Sequence, residues 1–211
     1  MIKELILEYK KRKSLIRKRL KEFKDIYISG NDHDIFEELS FCIFTPQSKA
    51  VLCNKAVKNL KRQGLLFKGS LNKIRPHLKG VRFPNNKASY LMEARKLFIS
   101  KNKLDIKSKI HPNDIYNTRE WFVKNVKGIG YKEASHFLRN IGFGKNISIL
   151  DVHILNNLVK YKVIEERPSS ITKKKYLFIE DKMKKFSASI SIPLDELDLL
   201  FWSIQTGYVF K

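Results

Sequence analysis

Two residues in the middle of the chain are of types that carry chemistry: Lys132, an amine, and Asp151, a carboxylate. Lys132 follows the segment KGIG, in which Gly128 and Gly130 flank Ile129. Glycine accepts positive φ and lets another backbone approach closely, so the segment reads as a tight turn with Ile129 plugged between two helices. Such a turn aims free backbone N–H groups, and the positive end of the next helix, at an anion such as a DNA phosphate. The same pattern also suits an ordinary corner between helices. Beyond it, Ala134, Phe137, Leu138 and Ile141 make one apolar stripe at helical spacing. At about 100° per residue, Lys132, Ser135, His136 and Arg139 fall on the opposite face, so the amine points away from the local core. A helix start slightly disfavours a cation, which hints at another task for this one. Asp151 stands where the next helix would be capped, with His153 in the first turn, and an N-cap alone would explain it.

The elements that must position these residues read as helices almost throughout. Ile2, Leu5, Ile6 and Tyr9, then Ile16, Leu20 and Phe23, recur at three- and four-residue spacings over 2–24. The basic run Lys10–Lys13 between them reads as a solvated helix face. Phe36–Phe44 predicts a buried helix, and Thr45-Pro46 a cap with proline at the first helical position of a helix to about Leu60. A looser, Gly/Pro-punctuated stretch runs from Gly64 to Pro84. Further helices are expected over 86–100, from Pro112 to about Val126, and over 131–141, 151–161, 173–186 and 193–206. No run of alternating strands is evident, and repeats and low-complexity tracts are absent. The fold class expected is all-α, as two helical lobes with a cleft between them. One lobe would combine 1–30 with about 164–211; the other, about 31–163, would carry the helix-hairpin-helix (119–141) and Asp151.

Composition narrows the partners. The chain has 211 residues, 43 Lys+Arg against 21 Asp+Glu, and a formal charge of +22. A surplus of that size suits a polyanion, because neutralising phosphates releases condensed counterions. Charge alone does not separate DNA from RNA, from anionic membrane, or from a lysine-coated soluble surface. No long apolar run predicts a membrane span, and the start lacks the features of a secretory signal, so an intracellular, cytoplasmic protein is expected. Cys42 and Cys53 are too few for a four-thiolate cluster and read as small apolar fillers. His136 and His111 read as surface residues.

The stretch VKGIGYKEASHFLRN followed by LDVHIL resembles the helix-hairpin-helix–Gly/Pro…Asp superfamily of DNA glycosylases. The lysine beside the hairpin marks the bifunctional branch, and Asp-Val-His is most similar to the 8-oxoguanine enzymes. The chain lacks room for the extra β-domain of the long eukaryotic type and lacks the cysteines of the endonuclease III cluster. Its ending, LDELDLLFWSIQTGYVFK, resembles the short type-2 8-oxoguanine DNA glycosylase/AP lyases, and this resemblance covers essentially the whole chain.

That resemblance implies an enzyme that flips 8-oxoguanine out of double-stranded DNA, excises it and nicks the abasic strand by β-elimination. Lys132 would be the Schiff-base nucleophile and Asp151 the catalytic acid that stabilises charge on the sugar. Free lysine titrates near ~10.4, so the amine must lose its proton before it attacks. Gly128, Ile129 and Gly130 would hold DNA, Gln47 would fill the vacated stack, and His153 would touch phosphate. Phe83 and Trp202 would sandwich the base, with the terminal carboxylate of Lys211 reading its N7–H. For Gln47 an exposed first-turn glutamine, and for Trp202 core packing, remain open. No metal, iron–sulfur cluster or other cofactor is implied; a backbone-bound monovalent cation at Gly128–Gly130 is allowed by analogy. A monomer that associates with the nucleoid is expected. The competing readings are a glycosylase of the same fold for another oxidised base, and a non-catalytic helix-hairpin-helix DNA-binding protein.

Overall fold

In the computed structural model, which describes residues 1–211, the chain forms two compact units: Met1–Asp25 with Leu138–Lys211, and Ile26–Phe137. That division differs from the one expected from the sequence, because the chain changes unit inside the helix after the hairpin. Asp151 accordingly falls with the N-terminal helix, not with Lys132.

The first unit is built on α1 (Ile2–Ile28), whose buried residues Leu5, Tyr9, Ile16 and Phe23 trace one stripe. Glu8 pairs with Lys11 and Arg12, so the basic run keeps to the solvated side. On the inner side the Tyr9 hydroxyl donates to Glu196 Oε2 at 2.6 Å, and Arg17 Nε reaches Glu196 Oε1 at 3.1 Å. Burial, then the Glu196 hydrogen bond, pushes the Tyr9 phenol up to about 12.

The second unit starts at α2 (Asp32–Phe44), opened by a capping box in which Asn31 and Asp34 satisfy each other's backbone N–H groups. Ile35, Phe36, Leu39, Phe41, Cys42, Ile43 and Phe44 are all fully buried, so α2 is the central helix of this unit. Against it pack α3 (Ala50–Arg62) and, after the short helices α4 (Leu65–Lys68) and α5 (Leu71–Ile74) and a 3-10 turn at Arg75–Leu78, α6 (Pro84–Phe98). Thr45-Pro46 does not open α3. Thr45 caps the end of α2, Gln47 takes a left-handed φ of 54°, and the helix resumes only at Ala50. A positive φ cannot continue a right-handed helix, which displaces the expected start.

One two-stranded ribbon departs from the all-helical expectation: β1 (Ile99–Ser100) pairs antiparallel with β2 (Lys103–Leu104). Lys101 and Asn102 between them have φ of 48° and 62°, the two positive values a tight hairpin turn demands. Strands this short leave no alternation to read. A 3-10 turn at Lys107–Lys109 then leads to α7 (Ile115–Asn125), capped by Asp114, and to α8 (Tyr131–Asn140).

Past the unit boundary the chain continues into α9 (Val152–Lys160), α10 (Lys173–Ser189) and α11 (Leu194–Thr206). Tyr161, Phe186 and Phe201 stack where these three meet, with ring centroids 5.6–6.5 Å apart. Of the three only Phe201 is fully buried, and burial of such a ring contributes roughly 1.5–3 kcal/mol. No helix is long and apolar enough to cross a membrane.

Candidate active site

The turn between α7 and α8 has the geometry its glycines suggest. Gly128 adopts φ 82°, and a Cβ there would lie 2.4 Å from Tyr90 Cδ2, so both torsion and space require glycine. Ile129 is 5% exposed: its side chain faces inward and anchors the turn, and its N–H closes the turn on the Val126 carbonyl at 3.2 Å. Beneath, Phe122 of α7 meets Phe137 of α8 at 4.8 Å, while buried Arg119 donates to Ser135 Oγ at 3.1 Å and lies 5.4 Å from the Tyr131 ring centroid.

These contacts correct the reading of the polar face of α8. Ala134, Phe137, Leu138 and Ile141 are fully buried, as their spacing predicts, but Ser135, His136 and Arg139 are buried as well. His136 sets its ring edge-on to Phe41 at 5.4 Å, so it is not a surface residue; Arg139 pairs with Asp198 at 3.4 Å. Periodicity identifies the apolar side of a helix, whereas whether the other side meets solvent depends on what packs there. His111 is exposed.

Lys132, in the first turn of α8, keeps a side chain 28% exposed, and its Nζ lies 2.8 Å from Glu133 Oε1. The other oxygen of Glu133 accepts the Gly130 N–H at 3.2 Å. One carboxylate thus closes the turn and holds the ammonium. Glu133 was missed at the sequence level, although a glutamate three residues after a helix start is a capping signal.

Gln47 and Phe83 belong to the same unit as Lys132. Both are exposed, and both have left-handed backbones, φ 54° and 57°. Gln47 is therefore a turn residue, not a first-turn helical one. Phe83 caps α6 and carries the Arg82 guanidinium 5.4 Å from its ring centroid.

Asp151, His153, Trp202 and Lys211 belong to the other unit. Asp151 is the N-cap of α9, its Oδ1 accepting the Ile154 N–H at 2.8 Å. His153, in the first turn of α9, meets the Trp202 ring edge-on at 6.5 Å. Trp202 is half-buried between buried Phe201 and Ser203; it stacks on Phe210 at 6.1 Å and meets Tyr208 edge-on at 5.4 Å. Gly207, at φ 88°, ends α11 and turns this tail back on the tryptophan. Lys211 is half-buried. Below Asp151, Asp198 is buried and its carboxyl is pushed up to about 7, chiefly by desolvation against the opposing pull of Arg139, with Asp151 adding to the rise.

Three comparisons bear on this arrangement. Residues 16–192 match the family model described as 8-oxoguanine DNA glycosylase. The chain is 49% identical over 210 residues to the 8-oxoguanine DNA glycosylase/AP lyase of Fusobacterium nucleatum, covering 96% of this chain and 94% of that one. It is 41% identical to the protein so named in Korarchaeum cryptofilum, over 94% of this chain and 91% of the other. Among solved structures, that of the Methanocaldococcus jannaschii 8-oxoguanine glycosylase/lyase in complex with a 15mer DNA containing 8-oxoguanine superposes with a TM-score of 0.89 at 33% identity, covering 100% of this chain and 99% of that chain. A hairpin followed by a lysine, a downstream capping aspartate and these full-length similarities together place the chain in the 8-oxoguanine DNA glycosylase family.

Proposed function

We propose that this chain releases 8-oxoguanine from duplex DNA and cleaves the abasic strand, with Lys132 as nucleophile and Asp151 as the acidic partner. The observation that carries the reading is an amine in the first turn after a glycine corner, held by Glu133 at 2.8 Å. In the proposed sequence Lys132 gives up a proton and its Nζ attacks C1′ of the extruded nucleotide. The C1′–N9 bond breaks, and the base leaves with the bonding pair and takes up a proton. Ring opening gives an iminium between Nζ and C1′; loss of a C2′ proton then expels the 3′ phosphate. Asp151 balances positive charge developing on the sugar. An amine and a carboxylate suffice for these steps, so the reaction is proposed to need no cofactor.

A base inside a duplex is unreachable, so the nucleotide must leave the stack. Gln47 is proposed to occupy the gap, with Phe83 and Trp202 on either face of the base, the terminal carboxylate of Lys211 accepting its N7–H, and His153 on phosphate. The hairpin at Gly128–Gly130 would lie against a phosphate of the same strand, which requires Glu133 to release the Gly130 N–H.

Borohydride reduces the iminium to a stable amine, so the native chain should form a covalent complex with 8-oxoguanine duplex DNA, and Lys132→Gln should not. No complex with the native chain, or an undiminished one with Lys132→Gln, would refute the assignment.

A further inference from the structure

Lys87 lies one turn into α6, is 3% exposed, and has no part in the chemistry above. Its ammonium donates to the Phe44 carbonyl at 2.6 Å, the Pro46 carbonyl at 2.7 Å and Ser48 Oγ at 2.9 Å. An ammonium has three donors, and all are committed. The three oxygens belong to the link between α2 and α3, which holds Gln47 at φ 54°. A side chain with a Cβ occupies that region only where its surroundings enforce it. Ser48 Oγ also receives the Arg82 backbone N–H at 2.9 Å, which ties this link to the turn ahead of α6. There Phe83, at φ 57°, accepts the backbone N–H of Lys87 itself at 3.1 Å. Lys87 therefore holds the link carrying Gln47 directly by its ammonium, and reaches the turn carrying Phe83 through Ser48. Desolvation pulls its ammonium down to about 8. A well-packed apolar residue would avoid that penalty, so the retained charge points to a demand for defined geometry.

We infer that Lys87 is a positioning residue for base extrusion: its ammonium, through Ser48, locks the turns carrying Gln47 and Phe83 into one presentation. The inference rests on the roles proposed above for those two residues. It predicts that release of an intact base depends on Lys87, whereas cleavage of a preformed abasic site, with no base to expel, does not.

Full-length Lys87→Met should release 8-oxoguanine about a hundredfold more slowly while cutting abasic duplex within about threefold of the native rate. Ser48→Ala should move both rates the same way, by about tenfold and less than about twofold. Placed on Gln47→Ala, the lysine change should add less than about twofold, because both act through one wedge. Amide exchange at 45–49 and 80–83 should rise together in Lys87→Met. Equal loss in the two reactions, full additivity with Gln47→Ala, or unchanged exchange in either turn would overturn the inference; if Lys87→Met does not fold, Ser48→Ala decides on the same terms. A native chain that releases no 8-oxoguanine would instead bring down the functional reading and this inference with it. An active native chain with an equally active Lys87→Met would bring down the inference alone.

Discussion

Asp151 has one observed duty and one proposed, and one oxygen and one charge keep them separable. Its Oδ1 caps α9 through the Ile154 N–H, a task any short polar acceptor performs, while the proposed chemistry needs its negative charge. Asparagine caps as well as aspartate, so Asp151→Asn should change stability by less than about 0.5 kcal/mol yet slow base release by about a hundredfold or more. Asp151→Ala should lose the same activity and, in addition, about 1 kcal/mol of stability. Urea unfolding beside single-turnover kinetics separates the two duties; an asparagine variant as unstable as the alanine one would contradict the capping account. Lys132 is the converse case. Its side chain is 28% exposed yet engaged with Glu133, so the proposed chemistry requires that ion pair to open.

At the scale of elements, the glycine corner makes a claim that a matched pair of substitutions tests. Gly64 and Gly128 both have positive φ, 68° and 82°, but a Cβ meets nothing within 4 Å at Gly64 and meets the Tyr90 ring at 2.4 Å at Gly128. Gly64→Ala should therefore cost only the torsional penalty, about 1 kcal/mol, and Gly128→Ala should cost clearly more. Equal losses in denaturant unfolding would show that the tyrosine gives way freely. Most of the helices were legible in the sequence, because their buried stripes recur at helical spacing and Asp114 and Asp151 announce two starts. The link after α2 was not. Thr45-Pro46 carries the local signature of a helix start, and a lysine on α6 overrides it by claiming the Phe44 and Pro46 carbonyls. The same limit hid Lys87 from any list of site residues, since a lysine is taken for a surface residue unless its partners are known. Lys132 and Asp151 stood out through motif and spacing, whereas Glu133 carried only a capping signal and its pairing with Lys132 emerged from geometry. His136 and Arg139 were misread because neither Phe41 nor Asp198, their partners, is a sequence neighbour.

At the scale of the whole molecule, the dominant fact is a surplus of 22 positive charges on 211 residues. Lys10, Lys18 and Lys24 on α1 are exposed, as are Lys11 and Lys21, which pair with Glu8 and Asp25. Binding to a lesion duplex should therefore weaken steeply with salt, by about a thousandfold or more between 50 and 200 mM if some six phosphates are neutralised. Fluorescence anisotropy across that range gives the slope directly, and a nearly flat line would make the charge a solubility coat. Lesion preference should survive the same titration, because phosphate contacts position the protein and carry no information about the base.

The two sulfhydryls give the interior a further significance. Cys42 and Cys53 form no disulfide and are fully buried, and desolvation raises the Cys53 thiol to about 11. Peroxide attacks the thiolate, which this environment withholds at neutral pH. Thiol-directed alkylation of the native chain should therefore leave Cys53 unlabelled until denaturant opens the fold, and rapid labelling without unfolding would contradict its burial.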